Sequence, residues 1–295
     1  MSTIFKWKPE AFDDLLESCE RDPLLPYIHK YFKRPGPILE AGCGAGRFVK
    51  YLHDRGFDSR GIEYNPETVQ NVKAKWPELQ VVQGDVLDMP YADDTFEGAL
   101  AIGLIEHFEG GPERVLAEIR RVVKPNGTGL ITVPCLNGLR RLKGPFCGIV
   151  HMFRANPLLR RIFGKTTCKR WGWNLYNRRF RYHIYPEWGE FYEYRLTPRQ
   201  FEQVLENAGF HVLDSQPIHQ VDGLYHEFGR LFARYERCRF LVYPHGRALN
   251  WLLSRIPFFH NHMHLCVVQK RGDRQAGSSP TTWHRGGLCR QKTGA

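Results

Sequence analysis

The segment Ile38–Gly46 reads ILEAGCGAG, and it decides how the surrounding chain is interpreted. A short apolar run ends at one carboxylate, Glu40, and glycines then occupy every second position at Gly42, Gly44 and Gly46. Such a segment ends a buried strand, and the missing side chains let a ligand lie against the backbone where the next helix begins. By themselves, the glycines fit a nucleotide-binding turn and a purely structural turn equally well.

Strands and helices alternate around this segment. The strand patterns are Pro37–Glu40, Ser59–Glu63, Leu79–Gly84, Phe96–Leu104, Gly127–Val133, Phe210–Ser215 and His262–Gln269. The helical patterns are Arg47–Asp54, Pro66–Lys75, Glu113–Val123 and a helix that begins with the capping residues Thr197 and Gln200. Alternation of this kind predicts an α/β fold with a doubly wound, mostly parallel sheet of seven strands.

The alternation of strands and helices is interrupted by two segments, and these interruptions predict where the core and its insertions begin and end. We expect an N-terminal helical segment over 1–36 and a core formed by 37–137 and 196–270. An insertion over 138–195 divides that core, and a second insertion, 216–261, lies within its latter half. The tail, 271–295, lacks periodicity and is expected to stay outside the core.

Composition narrows the class of protein. A chain of 295 residues with 42% hydrophobic content can bury a sizeable core as one domain with a large insertion or as two domains. No apolar run approaches the roughly 18 residues that span a bilayer, and the acidic start lacks a signal-peptide layout. We therefore expect a cytoplasmic location.

The eight cysteines are scattered without a CxxC pair, so free thiols are expected.

The net charge of +11 is concentrated in two segments. Residues 138–195 carry 13 Lys and Arg against 3 Asp and Glu, and residues 270–295 carry 6 against 1. A localised basic block indicates an anionic substrate or surface rather than a general solubility effect.

Two further acidic positions follow the glycine turn in order. Glu63 ends the second strand, where a carboxylate can accept hydrogen bonds from ribose hydroxyls. Asp85 follows the third strand in GDVLDMP, and DDTFEGALAIGLIEHF then runs through the fourth strand. This ordered set resembles the class I methyltransferases that use S-adenosylmethionine, and it is similar to their small-molecule branch. The resemblance covers 37–133 and, more loosely, 197–270.

The resemblance implies a role for each matching position. The glycine loop would hold the methionine and ribose parts of the cofactor, Glu63 would bind the ribose, and Asp85 with the backbone of Val86 would recognise the adenine. The end of the fourth strand would face the sulfonium and its methyl group. The implied cofactor-binding residues are Glu40, Gly42, Gly44, Gly46, Glu63, Asp85, Val86, Ile102, Gly103 and Leu104. The family more often has Asp where this chain has Glu40.

Other enzyme classes fit the sequence less well. A dehydrogenase also uses a glycine turn and a distal acid, but it would not be expected to carry the GDxxxxP segment followed by DDTFEGALAIGLIEHF. The fourth strand does not end in Asn or Asp followed by Pro-Pro-Tyr or Pro-Pro-Phe, which argues against methylation of DNA adenine.

The sequence gives fewer indications of which residues bind or activate the methyl acceptor. A hydroxyl acceptor needs a base, and His107 after the fourth strand is the candidate catalytic residue, although it also fits a packing role. His183, Tyr185, Tyr192 and Tyr194 are candidate substrate-binding residues in the insertion. A metal site is not expected, because the histidine pair His262 and His264 has no acidic or cysteine partner pattern. His219 and His226 are further candidates for the acceptor pocket.

The insertion interleaves cations with aromatic residues in KRWGWNLYNRRFRYHIYPEWGEFYEYR, residues 169–195. This pattern fits a lid over an anionic or aromatic small molecule, single-stranded RNA or an anionic membrane surface. The favoured reading is methyl transfer from S-adenosylmethionine to a small molecule, at oxygen. The alternatives are an RNA methyltransferase and a non-catalytic scaffold that binds the cofactor.

Overall fold

The computed structural model describes residues 5–108, 110–143, 168–172, 180–185, 189–256 and 258–272, with backbone alone for 168–172, 180–185 and 189–192. The insertion is therefore described in part. All but the first two residues of the predicted tail, 271–295, lie outside the described residues, and so do the side chains of His183, Tyr185 and Tyr192.

A seven-stranded sheet forms the centre of the molecule. Its strands are β1 (Pro37–Ala41), β2 (Asp58–Glu63), β3 (Gln80–Gln83), β4 (Phe96–Ile102), β5 (Val123–Pro134), β9 (Phe210–Ile218) and β12 (Met263–Lys270). Their order is β3-β2-β1-β4-β5-β12-β9. The first five are parallel, whereas β12 runs antiparallel to both β5 and β9. The prediction of a doubly wound, mostly parallel seven-stranded sheet is confirmed.

The helices lie between and beside these strands. They are α1 (Phe12–Cys19), α2 (Leu25–Tyr31), α3 (Arg47–His53), α4 (Pro66–Lys75), α5 (Glu113–Val122), α6 (Gly138–Lys143), α7 (Pro198–Asn207), α8 (Gln220–Phe228) and α9 (Arg247–Ser254). Short 3-10 helices occupy Pro9–Ala11, Ile105–His107, Gly229–Leu231 and Pro244–Gly246. The capping box predicted for α7 is present, since Thr197 and Gln200 bond reciprocally.

The sheet is covered on both faces because neighbouring residues of each strand point to opposite sides. In β1, Leu39 packs into a cluster that contains Ile119 of α5 and Phe201 of α7, while Ile38 packs into a second cluster with Phe48 of α3. Continuous apolar runs in the strands are the sequence signature of this two-sided burial.

The two insertions leave the core from the same edge of the sheet. The backbone of the first insertion forms a separate antiparallel sheet of β6 (Cys168–Gly172), β7 (Phe180–Tyr185) and β8 (Gly189–Tyr194), although its sequence shows no sustained period. The second insertion contains α8, α9 and a hairpin of β10 (Ala233–Glu236) and β11 (Arg239–Val242). β5 and β9 end, and β12 begins, at the edge where β1, β2 and β4 also end. Both insertions therefore start at the carboxyl edge of the sheet, where open α/β sheets bind ligands.

Among the described residues, no helix combines the length and the apolar character needed to cross a membrane.

Candidate functional site

The glycine turn after β1 adopts backbone conformations that other residues avoid. The φ angles of Gly42, Gly44 and Gly46 are +68°, +53° and +69°. A Cβ atom on Gly42 would also lie 2.7 Å from Cδ1 of Leu104, which follows β4. The turn thus requires glycine both for its left-handed conformation and for its close packing against the end of β4.

Glu63 joins this turn to the loop after β2. Its Oε2 accepts a hydrogen bond from the backbone N–H of Gly44 at 3.0 Å, and its Oε1 accepts one from Asn65 N–H at 2.9 Å. The side chain is buried, and this burial raises the pKa of the carboxyl although the backbone N–H groups oppose the shift. Each carboxylate oxygen has a second lone pair. The predicted ribose contact remains compatible with this arrangement and remains a prediction.

Glu40 has a structural role that the sequence analysis missed. Its Oε2 accepts a hydrogen bond at 3.1 Å from the N–H of Val49, the third residue of α3. Gly46 precedes α3 and has no side chain for that N–H, so Glu40 caps the helix from the neighbouring strand. Burial raises the pKa of Glu40 to about 8, although Arg47 opposes the shift. A direct contact with a cofactor remains a prediction for this residue.

A pocket of about 310 Å³ opens where β2 and β3 end. Its lining residues are Tyr64, Pro66, Gln83, Gly84 and Asp85. Oδ1 of Asp85 accepts a hydrogen bond from Leu87 N–H at 3.0 Å, so one carboxylate oxygen is fixed within the loop. The Val86 side chain is buried in the core, and its N–H has no hydrogen-bond partner in the described part of the chain. Tyr64 is 37% exposed and was not singled out from the sequence.

The end of β4 lies on the other side of the glycine turn from β2 and β3, and we treat it as the second wall of the candidate site. Gly103 has a φ angle of +61°, and its N–H bonds to Oγ1 of Thr132 at 3.0 Å. Ile102 is partly exposed and Leu104 is buried beside the glycine turn. Leu104 therefore lies next to the turn, and cofactor contacts by Ile102, Gly103 and Leu104 remain predictions.

His107 lies in the 3-10 helix just beyond this wall. The side chain is buried, its ring meets the ring of Phe5 edge-on at 5.1 Å, and its Nε2 lies 3.8 Å from Oε1 of Glu106. Burial raises the pKa of Glu106 well above its ordinary value, and its Oε2 has no hydrogen-bond partner among the described residues. The imidazole and this carboxyl are 3.8 Å apart, which is beyond hydrogen-bond distance. The role of His107 as a base remains a prediction.

Tyr194 connects the insertion to the same 3-10 helix. Its hydroxyl donates a hydrogen bond to the carbonyl of Ile105 at 2.6 Å, and its ring is fully buried in the core. These contacts position the last strand of the insertion against the site. Its predicted contact with the acceptor stays a prediction, as do those of His183, Tyr185 and Tyr192.

The other histidines are held in separate networks. His219 bonds to Asp222 at 2.9 Å, and the carboxylates of Asp222 and Asp22 raise its pKa despite burial. His226 stacks on His262 at 4.1 Å between ring centroids, and burial lowers the pKa of His226 to about 4.

The histidines His262 and His264, for which no metal site is expected from the sequence, contact different partners. His262 Nδ1 lies 2.8 Å from Nη2 of Arg140, whereas His264 Nε2 lies 2.8 Å from the hydroxyl of Ser215. Within the described ranges, no three His, Cys, Asp or Glu side chains are grouped to hold a metal ion.

Comparison with known proteins agrees with this geometry. Residues 39–131 match a family model described as a methyltransferase domain. A probable S-adenosylmethionine-dependent methyltransferase of Mycolicibacterium smegmatis is 30% identical over 97 residues, which cover 33% of this chain and 37% of the relative. Norajmaline N-methyltransferase of Rauvolfia serpentina is 36% identical over 100 residues, covering 32% and 34%. The chain spans less than half the length of each of these relatives.

Solved structures share the fold over most of the chain. A methyltransferase from Archaeoglobus fulgidus superposes with a TM-score of 0.52 at 16% identity, covering 86% of this chain and 94% of the other. The match over residues 39–131, the sheet order and the left-handed glycine turn together indicate a domain similar to the class I S-adenosylmethionine-dependent methyltransferases.

Proposed function

We propose that the protein transfers a methyl group from S-adenosylmethionine to a small-molecule acceptor, at an oxygen atom. One observation carries the proposal: the turn with three left-handed glycines is hydrogen-bonded at Gly44 to Glu63, whose other oxygen accepts from Asn65 in the loop after β2, next to the pocket that contains Asp85. The turn offers backbone without Cβ atoms, and the pocket offers a carboxylate and the N–H of Val86, which has no partner among the described residues. This donor and acceptor set fits a nucleoside joined to an amino acid.

Each part of the cleft has a proposed task. The glycine turn and Glu63 would hold the methionine and ribose parts, and Asp85 with Val86 N–H would hold the adenine. The bound cofactor supplies a methyl group that its sulfonium has already activated. The protein then needs mainly to align the acceptor with that methyl and to exclude water. The residues at the end of β4 and the N-terminal residues around Phe5 would exclude it.

A hydroxyl acceptor also loses a proton, and His107 is the proposed base. Its imidazole would take that proton and become an imidazolium beside the Glu106 carboxyl, 3.8 Å away. In the test variant His107→Gln, cofactor binding should persist while methyl transfer falls at least a hundredfold, because general-base catalysis contributes about 10²–10⁴ in rate. Equal activity in both proteins would remove His107 from the mechanism.

Charge pairing in the described part of the insertion, which contains four of its 13 Lys and Arg side chains, supports a small acceptor over RNA. The structure describes four cationic side chains of the insertion, and three of them are already paired. Arg140 and Lys143 bind Glu227 at 2.6 and 3.1 Å, and Arg195 binds Glu193 at 3.1 Å. These cations stabilise the protein's own structure and are not available for phosphates. An RNA site would need unpaired cations in a groove.

The relatives are named for several different methyl acceptors. They include the norajmaline N-methyltransferase, a probable tRNA methyltransferase and a lysine and N-terminal methyltransferase. Nitrogen and RNA acceptors are therefore the competing possibilities for the methylated atom and the substrate class.

One experiment separates these possibilities. The protein is incubated with methyl-labelled S-adenosylmethionine and three separate pools: small molecules, total RNA and denatured proteins. The proposal predicts label in a small molecule, bonded to oxygen when the product is analysed by mass spectrometry. Label in RNA or protein would support an alternative. Cofactor binding without release of S-adenosylhomocysteine in any pool would indicate a scaffold.

A further inference from the structure

The N-terminal residues Phe5–Lys8 run along the site and are fixed from the loop after β2. The side-chain amide of Asn65 makes this attachment, because its nitrogen bonds to the segment while its oxygen bonds to the start of α4. Its Nδ2 donates to the carbonyl of Phe5 at 2.7 Å, while its Oδ1 accepts from Glu67 N–H at 3.0 Å and so caps α4. The position of Phe5 therefore depends on the same loop that Glu63 ties to the glycine turn.

The segment also contacts the other wall of the cleft. The ring of Phe5 lies against His107, with centroids 5.1 Å apart and an angle of 65° between the planes. Lys6 forms an ion pair with Glu67 at 3.2 Å, but both side chains are largely exposed and the pair contributes little. Two contacts, to Asn65 and to His107, thus place the segment between the ends of β2 and β4.

Trp7 lies directly on the glycine turn. A Cβ atom built on Gly44 would be 2.6 Å from Nε1 and 2.9 Å from Cε2 of Trp7, so the edge of the indole that carries the N–H faces the turn. The side chain is 36% exposed. Among the described residues, Nε1 of Trp7 has no hydrogen-bond partner, whereas the N–H of Gly44 is already bonded to Glu63. The indole N–H is thus an unused donor at the turn that would hold the methionine part of the cofactor.

We propose that Trp7 is part of the cofactor site, and that its indole N–H donates a hydrogen bond to the carboxylate of the methionine moiety. This inference rests on the proposed binding of S-adenosylmethionine at the glycine turn. An indole N–H is only a donor, so it can bind the carboxylate and cannot accept from the neighbouring ammonium. The ring covers the turn and removes it from water, which strengthens the hydrogen bond.

The test compares two ligands and two variants by calorimetry. The ligands are S-adenosylmethionine and its decarboxylated form, which lacks only the proposed acceptor. Trp7→Phe keeps an aromatic cover and removes the donor, whereas Trp7→Ala removes both. A hydrogen bond to a charged group corresponds to about tenfold or more in affinity. Trp7→Phe should therefore weaken S-adenosylmethionine about tenfold and change the decarboxylated ligand less than twofold, while Trp7→Ala weakens both.

Trp251→Phe is the matched control, because Trp251 is 60% exposed on α9 and should leave both affinities unchanged. Thermal unfolding verifies that each variant is folded. An equal effect of Trp7→Phe on the two ligands, or no effect, would overturn the hydrogen bond. Tighter binding by Trp7→Ala would show that Trp7 occupies the place of the cofactor and would also overturn it. If the wild-type protein binds neither ligand, the cofactor site itself is refuted; if it binds and the variants match it, only the role of Trp7 fails.

Discussion

The carboxylate of Glu63 lies 3.0 Å from the backbone nitrogen of Gly44 and accepts its hydrogen bond. The residue that the family resemblance assigns to the ribose therefore also holds the glycine turn in place. Its other oxygen holds Asn65, which in turn holds Phe5. The proposed ligand contact and local folding depend on the same side chain, so substitutions at this edge of the sheet should be measured for both properties.

Replacing Glu63 should lower stability as well as affinity. Glu63→Ala leaves the buried N–H groups of Gly44 and Asn65 without an acceptor, which costs about 1–3 kcal/mol for each unsatisfied group. We expect a drop in the urea midpoint together with weaker binding of S-adenosylhomocysteine. A variant with unchanged stability would show that Glu63 does not hold the turn.

Gly44 should be less tolerant of a methyl group than a glycine in open space. Gly44→Ala forces a left-handed residue, at about 1–2 kcal/mol, and pushes a Cβ into the indole of Trp7. Gly110→Ala is the control, because its chain neighbours aside, no described residue has an atom within 4 Å of the position its Cβ would take. The free energy of unfolding should fall for the first variant only. Adding Trp7→Ala should recover the steric part of the loss, and strict additivity of the two changes would contradict the contact.

Glu40 should make the protein less stable as the pH rises, whereas a carboxyl group with a lowered pKa makes a protein less stable as the pH falls. Its pKa is raised by burial from 4.5 to about 8 in the folded chain, so the folded state holds a proton that the unfolded state has lost. The stabilising contribution is complete below pH 4.5 and is lost as the pH rises toward 8. Glu40→Gln keeps an oxygen for Val49 N–H and does not titrate. Relative to wild type, the variant should therefore gain thermal stability between pH 5 and pH 8, by roughly 2–4 °C for each kcal/mol recovered.

Melting curves of both proteins across that range provide the measurement. The difference between variant and wild type isolates Glu40 from Glu63 and Glu106, whose pKa values are also raised by burial. A constant difference from pH 5 to pH 8 would contradict the protonated, buried state of Glu40.

The two insertions should depend on one buried ion pair. Arg140 of α6 binds Glu227 of α8 at 2.6 Å, and both side chains are nearly inaccessible to solvent. Glu227→Gln leaves the guanidinium without its counter-charge, and we expect a loss of about 3 kcal/mol in the free energy of unfolding. Glu236→Gln removes the partner of Arg234 from an exposed pair and should change stability by less than about 0.5 kcal/mol. Equal losses in guanidinium unfolding would show that the buried pair does not join the insertions.

The sequence predicted those parts of the fold that local patterns determine. ILEAGCGAG fixed the strand, the left-handed turn and the start of α3, because only glycine satisfies those φ angles and contacts. The apolar face of α5 and the capping residues of α7 predicted those helices for the same reason. The strand β9 was predicted to end at Ser215 and instead continues to Ile218, through Pro217. Proline is tolerated there because β9 is the edge strand of the sheet and pairs only with β12.

Contacts between distant segments could not be predicted. Glu40 is a site residue by motif, yet its bond to Val49 depends on the angle at which α3 packs on β1. Trp7 and Phe5 precede the core by some thirty residues, and no periodicity relates them to Gly44 or His107. The strands β6, β7 and β8 of the insertion were also not predicted, and they pair with one another in a small separate sheet.

We propose that the carboxyl edge of the sheet binds S-adenosylmethionine through the glycine turn and Asp85. The most direct test is calorimetry of S-adenosylhomocysteine with the cofactor-free protein and with Asp85→Asn, which keeps an oxygen for Leu87 N–H and loses the carboxylate. We predict one-to-one binding by the wild-type protein and about tenfold weaker binding by the variant, with unchanged thermal stability. No heat of binding from the folded wild-type protein, or equal affinity in the two proteins, would contradict this account.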